Sequence, residues 1–165
     1  MTTGEAMIRI RPAVAEDAEL LLSFVRELAE YERLAHEVVA TADDLSGALF
    51  GAQPCAHALI ASCDEKPAGF ALYFYNFSTF LGRPGLYLED LYVRPAARGR
   101  GIGRRLLAHL AQVALERGCG RLEWAVLDWN APSIRFYRSL GAEPMQEWTT
   151  YRLTGAALTR LARDS

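Results

Sequence analysis

The sequence predicts an α/β (α+β) fold: a single mixed, mainly antiparallel sheet of about six to seven strands flanked by helices. Three observations predict it. Two strand-like runs, 56–63 and 68–77, are separated only by Asp64-Glu65-Lys66-Pro67, the pattern of a hairpin. From residue 86 onward, strand-like and helix-like segments alternate. Between these two regimes, an alternating apolar strand over 86–93 runs into an Arg/Gly loop and at once into an amphipathic helix.

Each element has its own signature. Met7-Ile8-Arg9-Ile10-Arg11 alternates at period two and stops at Pro12, which reads as a first strand. Residues 17–33 read as a helix, because Leu20, Leu21, Phe24, Val25, Leu28 and Tyr31 recur at three- and four-residue steps. Thr41-Ala42-Asp43-Asp44 is a capped start for a short helix that ends before Gly51. After the hairpin come the strand 86–93, a helix over 103–117 ended by Gly118, and a strand over 122–127. A short helix over 131–140 closed by Gly141 and a last strand over 149–153 precede a polar tail. The stretch 78–85 is aromatic and glycine-rich, which fits a lid or a plain connection. The reading is one domain over 7–165 behind a short tail at 1–6.

The bulk numbers bound the function. With 165 residues, 51% apolar and 23% charged, the chain has the composition of a soluble globular domain of ordinary size. A net charge of −2 argues against a general nucleic-acid footprint and suits a small cationic substrate. Cys55, Cys63 and Cys119 are odd in number and lack C-x-x-C spacing, which points to a reduced, cytoplasmic protein with small buried thiols. The start of the chain is polar and no apolar run approaches membrane-spanning length, so neither a leader nor a membrane partner is expected. His36, His57 and His109 are scattered without metal-ligand spacing and read as structural or exposed, so no metal is expected.

The Arg/Gly loop is an anion cradle. Gly99, Gly101 and Gly103 allow a tight turn that points successive N–H groups inward, and the helix that follows adds its own free N–H groups and positive dipole end. A Walker A run is absent, and Gly101-Ile102-Gly103-Arg104-Arg105-Leu106 lacks the final glycine of a dinucleotide fingerprint. What remains is R-x-x-G-x-G, read as Arg98, Gly101 and Gly103. Arg94, Arg98, Arg100, Arg104 and Arg105 crowd this helix start against its dipole, a conflict that a multiply charged anion would remove. This loop resembles the pyrophosphate loop of the GNAT acyl-CoA-dependent N-acetyltransferases. A second block, Asn130-Ala131-Pro132-Ser133-Ile134-Arg135-Phe136-Tyr137 followed by Gly141, starts with a natural N-cap and carries N-x-x-[SA]-x-x-[FW]-Y, the second signature of that family.

The resemblance extends over residues 9–152. Arg9-Ile10-Arg11-Pro12-Ala13, Glu27-Leu28-Ala29-Glu30-Tyr31-Glu32, Tyr87-Leu88-Glu89-Asp90-Leu91-Tyr92-Val93 and Trp129-Asn130-Ala131-Pro132 are similar to blocks of the diamine (spermidine/spermine) and thialysine N-acetyltransferases. That resemblance implies acetyl-CoA as cosubstrate, a small amine as acceptor, the GNAT fold and a homodimer. It implies that Tyr31, Glu32, Glu89, Asp90, Glu123, Trp124 and Ala125 lie at the amine. It places Leu91, Tyr92 and Val93 along the pantetheine arm. Arg98, Gly99, Arg100, Gly101, Ile102, Gly103 and Arg104 would hold the pyrophosphate, and Asn130, Ala131, Pro132 and Ser133 would line the cofactor. Tyr137 falls where the family keeps a hydroxyl near the acyl-CoA sulfur. One departure concerns specificity: Thr149 stands where the diamine enzymes place a further substrate-binding acid, with Glu147 nearby. A shorter amine than a long polyamine is the natural expectation.

An amine acceptor needs a base, because a lysine-like amine has a pKa of about 10.4 and is protonated near neutrality. Glu89, acting through water, is the first choice, with Asp90 or water alone as alternatives. Adjacent strand residues point to opposite faces, so Glu89 would share a face with Leu91 and Val93, and Asp90 with Tyr92, unless a bulge intervenes. Other readings keep the chemistry and change the acceptor to a protein amine, an amino acid or an aminoglycoside. A non-catalytic acyl-CoA-binding regulatory module is a further one, which Tyr137 and the acidic strand argue against.

Overall fold

The structure, a computed structural model, describes residues 6–164, so the expected tail at 1–6 lies outside the described residues except for Ala6. The chain divides after Leu127 into two compact units.

In the first unit, β1 (Ile8–Pro12) is followed by α1 (Ala18–Tyr31) and α2 (Ala42–Phe50). Then come β2 (His57–Cys63), β3 (Lys66–Ser78), β4 (Arg83–Val93), α3 (Ile102–Glu116) and β5 (Leu122–Trp124). The expected capped start of α2 is present as a reciprocal box: Thr41 Oγ1 accepts the Asp44 N–H at 3.2 Å, and Asp44 Oδ2 accepts the Thr41 N–H at 2.8 Å. The hairpin turn is tighter than its four-residue signature. Cys63 pairs directly with Lys66, and Asp64 and Glu65 take φ of 49° and 66°, as a two-residue hairpin turn of the primed type requires. The 78–85 stretch is likewise a hairpin, because β3 runs through Ser78 and β4 begins at Arg83.

The sheet runs in the order β1-β2-β3-β4-β5. Its first four strands pair antiparallel in sequence, while β5 joins β4 in parallel after the α3 crossover. α1 and α2 cover one face, where Leu21, Phe24, Leu28 and Leu49 pack against Ala58, Ile60, Phe70 and Tyr92. Phe24 and Phe70 stack with centroids 5.4 Å apart. By the alternation of the strands, Leu59, Ala61, Ala71, Leu86 and Leu88 face the other side, where α3 buries Ile102, Leu106, Leu107 and Leu110.

The second unit holds α4 (Ala131–Ser139) and α5 (Gly155–Leu161). One expectation is corrected here. The sheet has five strands among the described residues, because the 149–153 run finds no ladder partner and Trp148 and Tyr151 stand exposed. Alternation describes one strand, whereas a strand forms only as a pair. The polar tail carries α5, where Ala156, Ala157, Leu158, Arg160 and Leu161 are good helix formers.

Candidate active site

The geometry of β4 decides which side chains meet. Leu88 pairs with Tyr73 and Asp90 with the adjacent Leu72, so Glu89 is an extra residue inserted in β4, a β-bulge. Alternation therefore shifts by one residue across it. Before the bulge, Tyr87 lies on the α1 face, with its ring 5.2 Å from that of Phe74, which follows Phe70 and Leu72 on that face. Glu89 follows Tyr87 on the same face. After the bulge, Asp90 lies opposite Leu72, and Tyr92 lies in the α1-side core. The strict-alternation expectation that Glu89 shares a face with Leu91 and Val93 is thus corrected. Glu89 and Asp90 share one face.

A third carboxylate joins them from α1. Glu32 is the C-cap of that helix, immediately after Tyr31, and burial pushes its carboxyl above the usual range. Burial, then the charges of Glu89 and Glu32, push Asp90 up to about 6. Every charge named in that shift has the same sign. Burial and the nearby charges of Glu89 and Glu123 also raise the Tyr87 phenol, so Tyr87 belongs to this acidic face. The motif blocks did not single it out, although its spacing of two from Glu89 carried the signal.

The bulge also opens an edge. β4 pairs with β5 only over Leu86–Leu88, against Leu122–Trp124, and the expected strand over 125–127 is coil. A bulge bends its strand, here at the point where the ladder to β5 stops. The Arg94 N–H donates to Ala68 of β3, so the backbone groups of Leu91 and Val93 alternate to the side that β5 has left. That edge suits the backbone contacts expected for a pantetheine arm. Glu123 lies opposite Tyr87 and is ion-paired with Arg121 at 2.7 Å, Trp124 lies opposite Leu88, and Ala125 follows the end of β5.

Beyond β4 the cradle takes shape. Gly99 and Gly101 have φ of 77° and 81°, left-handed backbone that suits glycine, and a Cβ at either would meet nothing within 4 Å. The requirement is one of conformation, and the space over the loop is open. Gly103, expected to turn, lies instead within the first turn of α3, which starts at Ile102. Ile102 is buried and anchors the loop. The Arg105 N–H donates to Gly101 O at 3.0 Å, so the N–H groups of Ile102, Gly103 and Arg104 precede the first bond of the helix ladder. With no side chain capping the helix and no acid in its first turn, this loop fits a pyrophosphate.

The arginines are less free than the crowding suggests. Arg94 binds Glu27 at 2.8 Å and Pro67 O at 3.0 Å, and lies over the Phe24 ring. Arg100 Nη1 is 3.5 Å from Asp64 Oδ2 and from Cys63 Sγ. Arg98 Nε donates to Val93 O at 2.9 Å. Protein groups thus relieve part of the dipole conflict at Arg94, Arg98 and Arg100.

In the second unit the expected cap is in place: buried Asn130 accepts the Ser133 N–H at 3.3 Å, with Ala131 and Pro132 opening α4. The Tyr137 ring lies 5.5 Å from Phe136 on that helix. Thr149 and Glu147 lie outside any strand. His57, 5.4 Å from the Tyr73 ring and 5.6 Å from that of Tyr75, is held below its ordinary pKa by burial and Arg117. Cys63 is buried as expected, whereas Cys55 is exposed, and all three thiols are free. No cluster of potential metal ligands occurs among the described residues.

Residues 19–142 match the model of the acetyltransferase (GNAT) family. The chain is 39% identical to a thialysine N-epsilon-acetyltransferase of Bos taurus, over 95% of this chain and 98% of the relative. It is 31% identical to an L-ornithine N5-acetyltransferase of Arabidopsis thaliana, over 94% of this chain and 89% of the relative. Among solved structures it superposes on an integron cassette protein from the mobile metagenome of V. cholerae with a TM-score of 0.78 and 31% identity, covering 94% of this chain and 98% of that one.

Proposed function

The chain belongs to the acetyltransferase (GNAT) family and is an acetyl-CoA-dependent N-acetyltransferase, and on that premise we propose that its acceptor is the primary amine of a small cationic molecule, lysine-like, thialysine-like or a short diamine. One observation carries this reading: Asp90 is pushed up to about 6 on the face it shares with Glu89, within reach of the Glu32 charge. Like charges held together in a partly dehydrated place raise one another's pKa, and an ammonium ion relieves all of them. The relatives named for thialysine and ornithine act on amines of this kind, which supports the same choice.

Acetyl-CoA supplies the acetyl group as an activated thioester. The backbone of Gly99–Arg104 holds the pyrophosphate, and the open edge at Leu91 and Val93 receives the pantetheine arm. Glu32, Glu89 and Asp90 hold the ammonium, with Tyr31 beside them. Glu89 takes the first proton through water, freeing the nitrogen lone pair for the carbonyl carbon. As the C–N bond forms and the C–S bond breaks, Tyr137 gives its proton to the departing sulfur. The second nitrogen proton returns through water, so the net release is one proton per amide formed.

A cytoplasmic homodimer belongs to the same reading, and the three free thiols support the reducing compartment. Free-thiol release from acetyl-CoA, measured against lysine, thialysine, ornithine, short diamines, an aminoglycoside and a peptide, tests the acceptor. The small cations give the highest kcat/KM. Preference for the peptide or the aminoglycoside overturns the reading.

A further inference from the structure

Arg98 opens the R-x-x-G-x-G signature, yet its side chain contacts Val93, Tyr31 and Tyr92. Its Nε donates to Val93 O at 2.9 Å, and its guanidinium carbon lies 5.1 Å from the centroid of the Tyr31 ring and 5.7 Å from that of Tyr92. Tyr31 is the last residue of α1, directly before Glu32. The main chain of Arg98 thus belongs to the anion loop, while its guanidinium joins the end of β4 to the end of α1.

We propose that Arg98 is a positioning residue of the amine site, and that pyrophosphate is held by the loop backbone rather than by this guanidinium. Two geometric facts separate the roles. The Nε–H is fixed on Val93 O at the end of β4, whereas the open N–H groups of Ile102, Gly103 and Arg104 belong to the first turn of α3. The planar cation over the Tyr31 ring gains from the ring quadrupole, an attraction that fixes where the ring stands. Such a device opposes the like charges of Glu32 and Asp90, which face one another from the end of α1 and from β4. Arg98, Tyr31 and the Arg94–Glu27 pair tie the two elements together from the same side. Because Val93 O is engaged by Arg98, Leu91 carries the carbonyl left open to the pantetheine arm.

This inference rests on the proposed amine acceptor, and its test separates the two. The variants are Arg98→Met, which keeps the length and apolar stem and removes the cation, and Arg98→Lys, which keeps the charge and removes the planar fork. Calorimetry with coenzyme A itself reads the cradle without any acceptor. Steady-state KM and kcat with thialysine or a short diamine read the amine site. The expected result for Arg98→Met is a coenzyme A Kd within threefold of wild type, an amine KM raised at least tenfold and a kcat within about threefold, with partial rescue in Arg98→Lys. In a Tyr31→Leu background, Arg98→Met adds no further rise in amine KM. A tenfold or greater loss of coenzyme A affinity in Arg98→Met, or an unchanged amine KM, overturns the proposal. Failure of wild-type protein to acetylate any small cation overturns the acceptor reading and this inference with it, whereas a coenzyme A loss in the variant overturns this inference alone.

Discussion

Glu89 and Asp90 are neighbours in sequence and share one face of the sheet, because Glu89 is the extra residue of a bulge between the Leu88–Tyr73 and Asp90–Leu72 pairs. A regular strand would send one of the two to the α3 side. The bulge turns an ordinary Glu-Asp dipeptide into a pair of carboxylates facing the end of α1, and the same bulge coincides with the end of the ladder to β5.

Glu89→Gln keeps the size and hydrogen-bonding capacity and removes the proton acceptor. Its kcat/KM should fall and its pH optimum should move upward, toward the range near the amine pKa of about 10 where substrate arrives already deprotonated. Rate profiles from acidic to strongly basic pH check this. A profile that overlays the wild-type one takes the proton-accepting role away from Glu89.

Asp90 makes the folded protein less stable as pH rises. Its folded pKa of about 6 lies above the ordinary 3.8, so between those values the folded state holds a proton that the unfolded state has lost. Stability from this group is full below the ordinary value and is lost as pH climbs through about 6. Asp90→Asn should therefore stabilise the protein at pH 7 by roughly 3 kcal/mol, and hardly at all near pH 3. Urea unfolding at both pH values reads the difference, and activity should fall in the same variant.

Gly101→Val should abolish tight coenzyme A binding with the fold kept. The space above Gly101 is empty, so the cost comes from a φ of 81° that a β-branched residue does not tolerate. Circular dichroism and calorimetry on the same sample separate loop from fold. Wild-type affinity in the folded variant would remove the cradle assignment.

Tyr137→Phe removes a single hydroxyl. A thiol of pKa about 8.5 is a fair leaving group unaided, so proton donation accelerates the step without being indispensable. The expected fall in kcat is about 10²-fold with coenzyme A affinity near wild type. Wild-type turnover with chemistry rate-limiting makes Tyr137 a packing residue.

What was legible in the sequence followed from local rules. The period-two runs became β1 to β4, the Thr41 and Asn130 caps start their helices as read, and the R-x-x-G-x-G loop opens α3. What was not legible depends on pairing. A bulge is a relation between two strands, so nothing in Leu88-Glu89-Asp90 announces it, although the conflict between two acids and one cleft marked where it had to be. The run 149–153 failed as a strand for the same reason in reverse, since its alternation needs a partner that the described chain does not supply. The protein partners of the arginines are not legible either, since Glu27 and Asp64, which engage Arg94 and Arg100, lie far away in sequence, and the Arg98 bond to Val93 O depends on the turn between them.

Carbon-detected NMR of the Asp90 carboxyl reads whether a substrate ammonium sits on the Glu32, Glu89 and Asp90 face. In free protein Asp90 should titrate near 6. With coenzyme A present and a short diamine or thialysine at saturation, the bound cation should pull that titration down toward the ordinary carboxylate range, below about 4. A midpoint that stays where it was in free protein while the amine is bound would place the ammonium away from Glu32, Glu89 and Asp90.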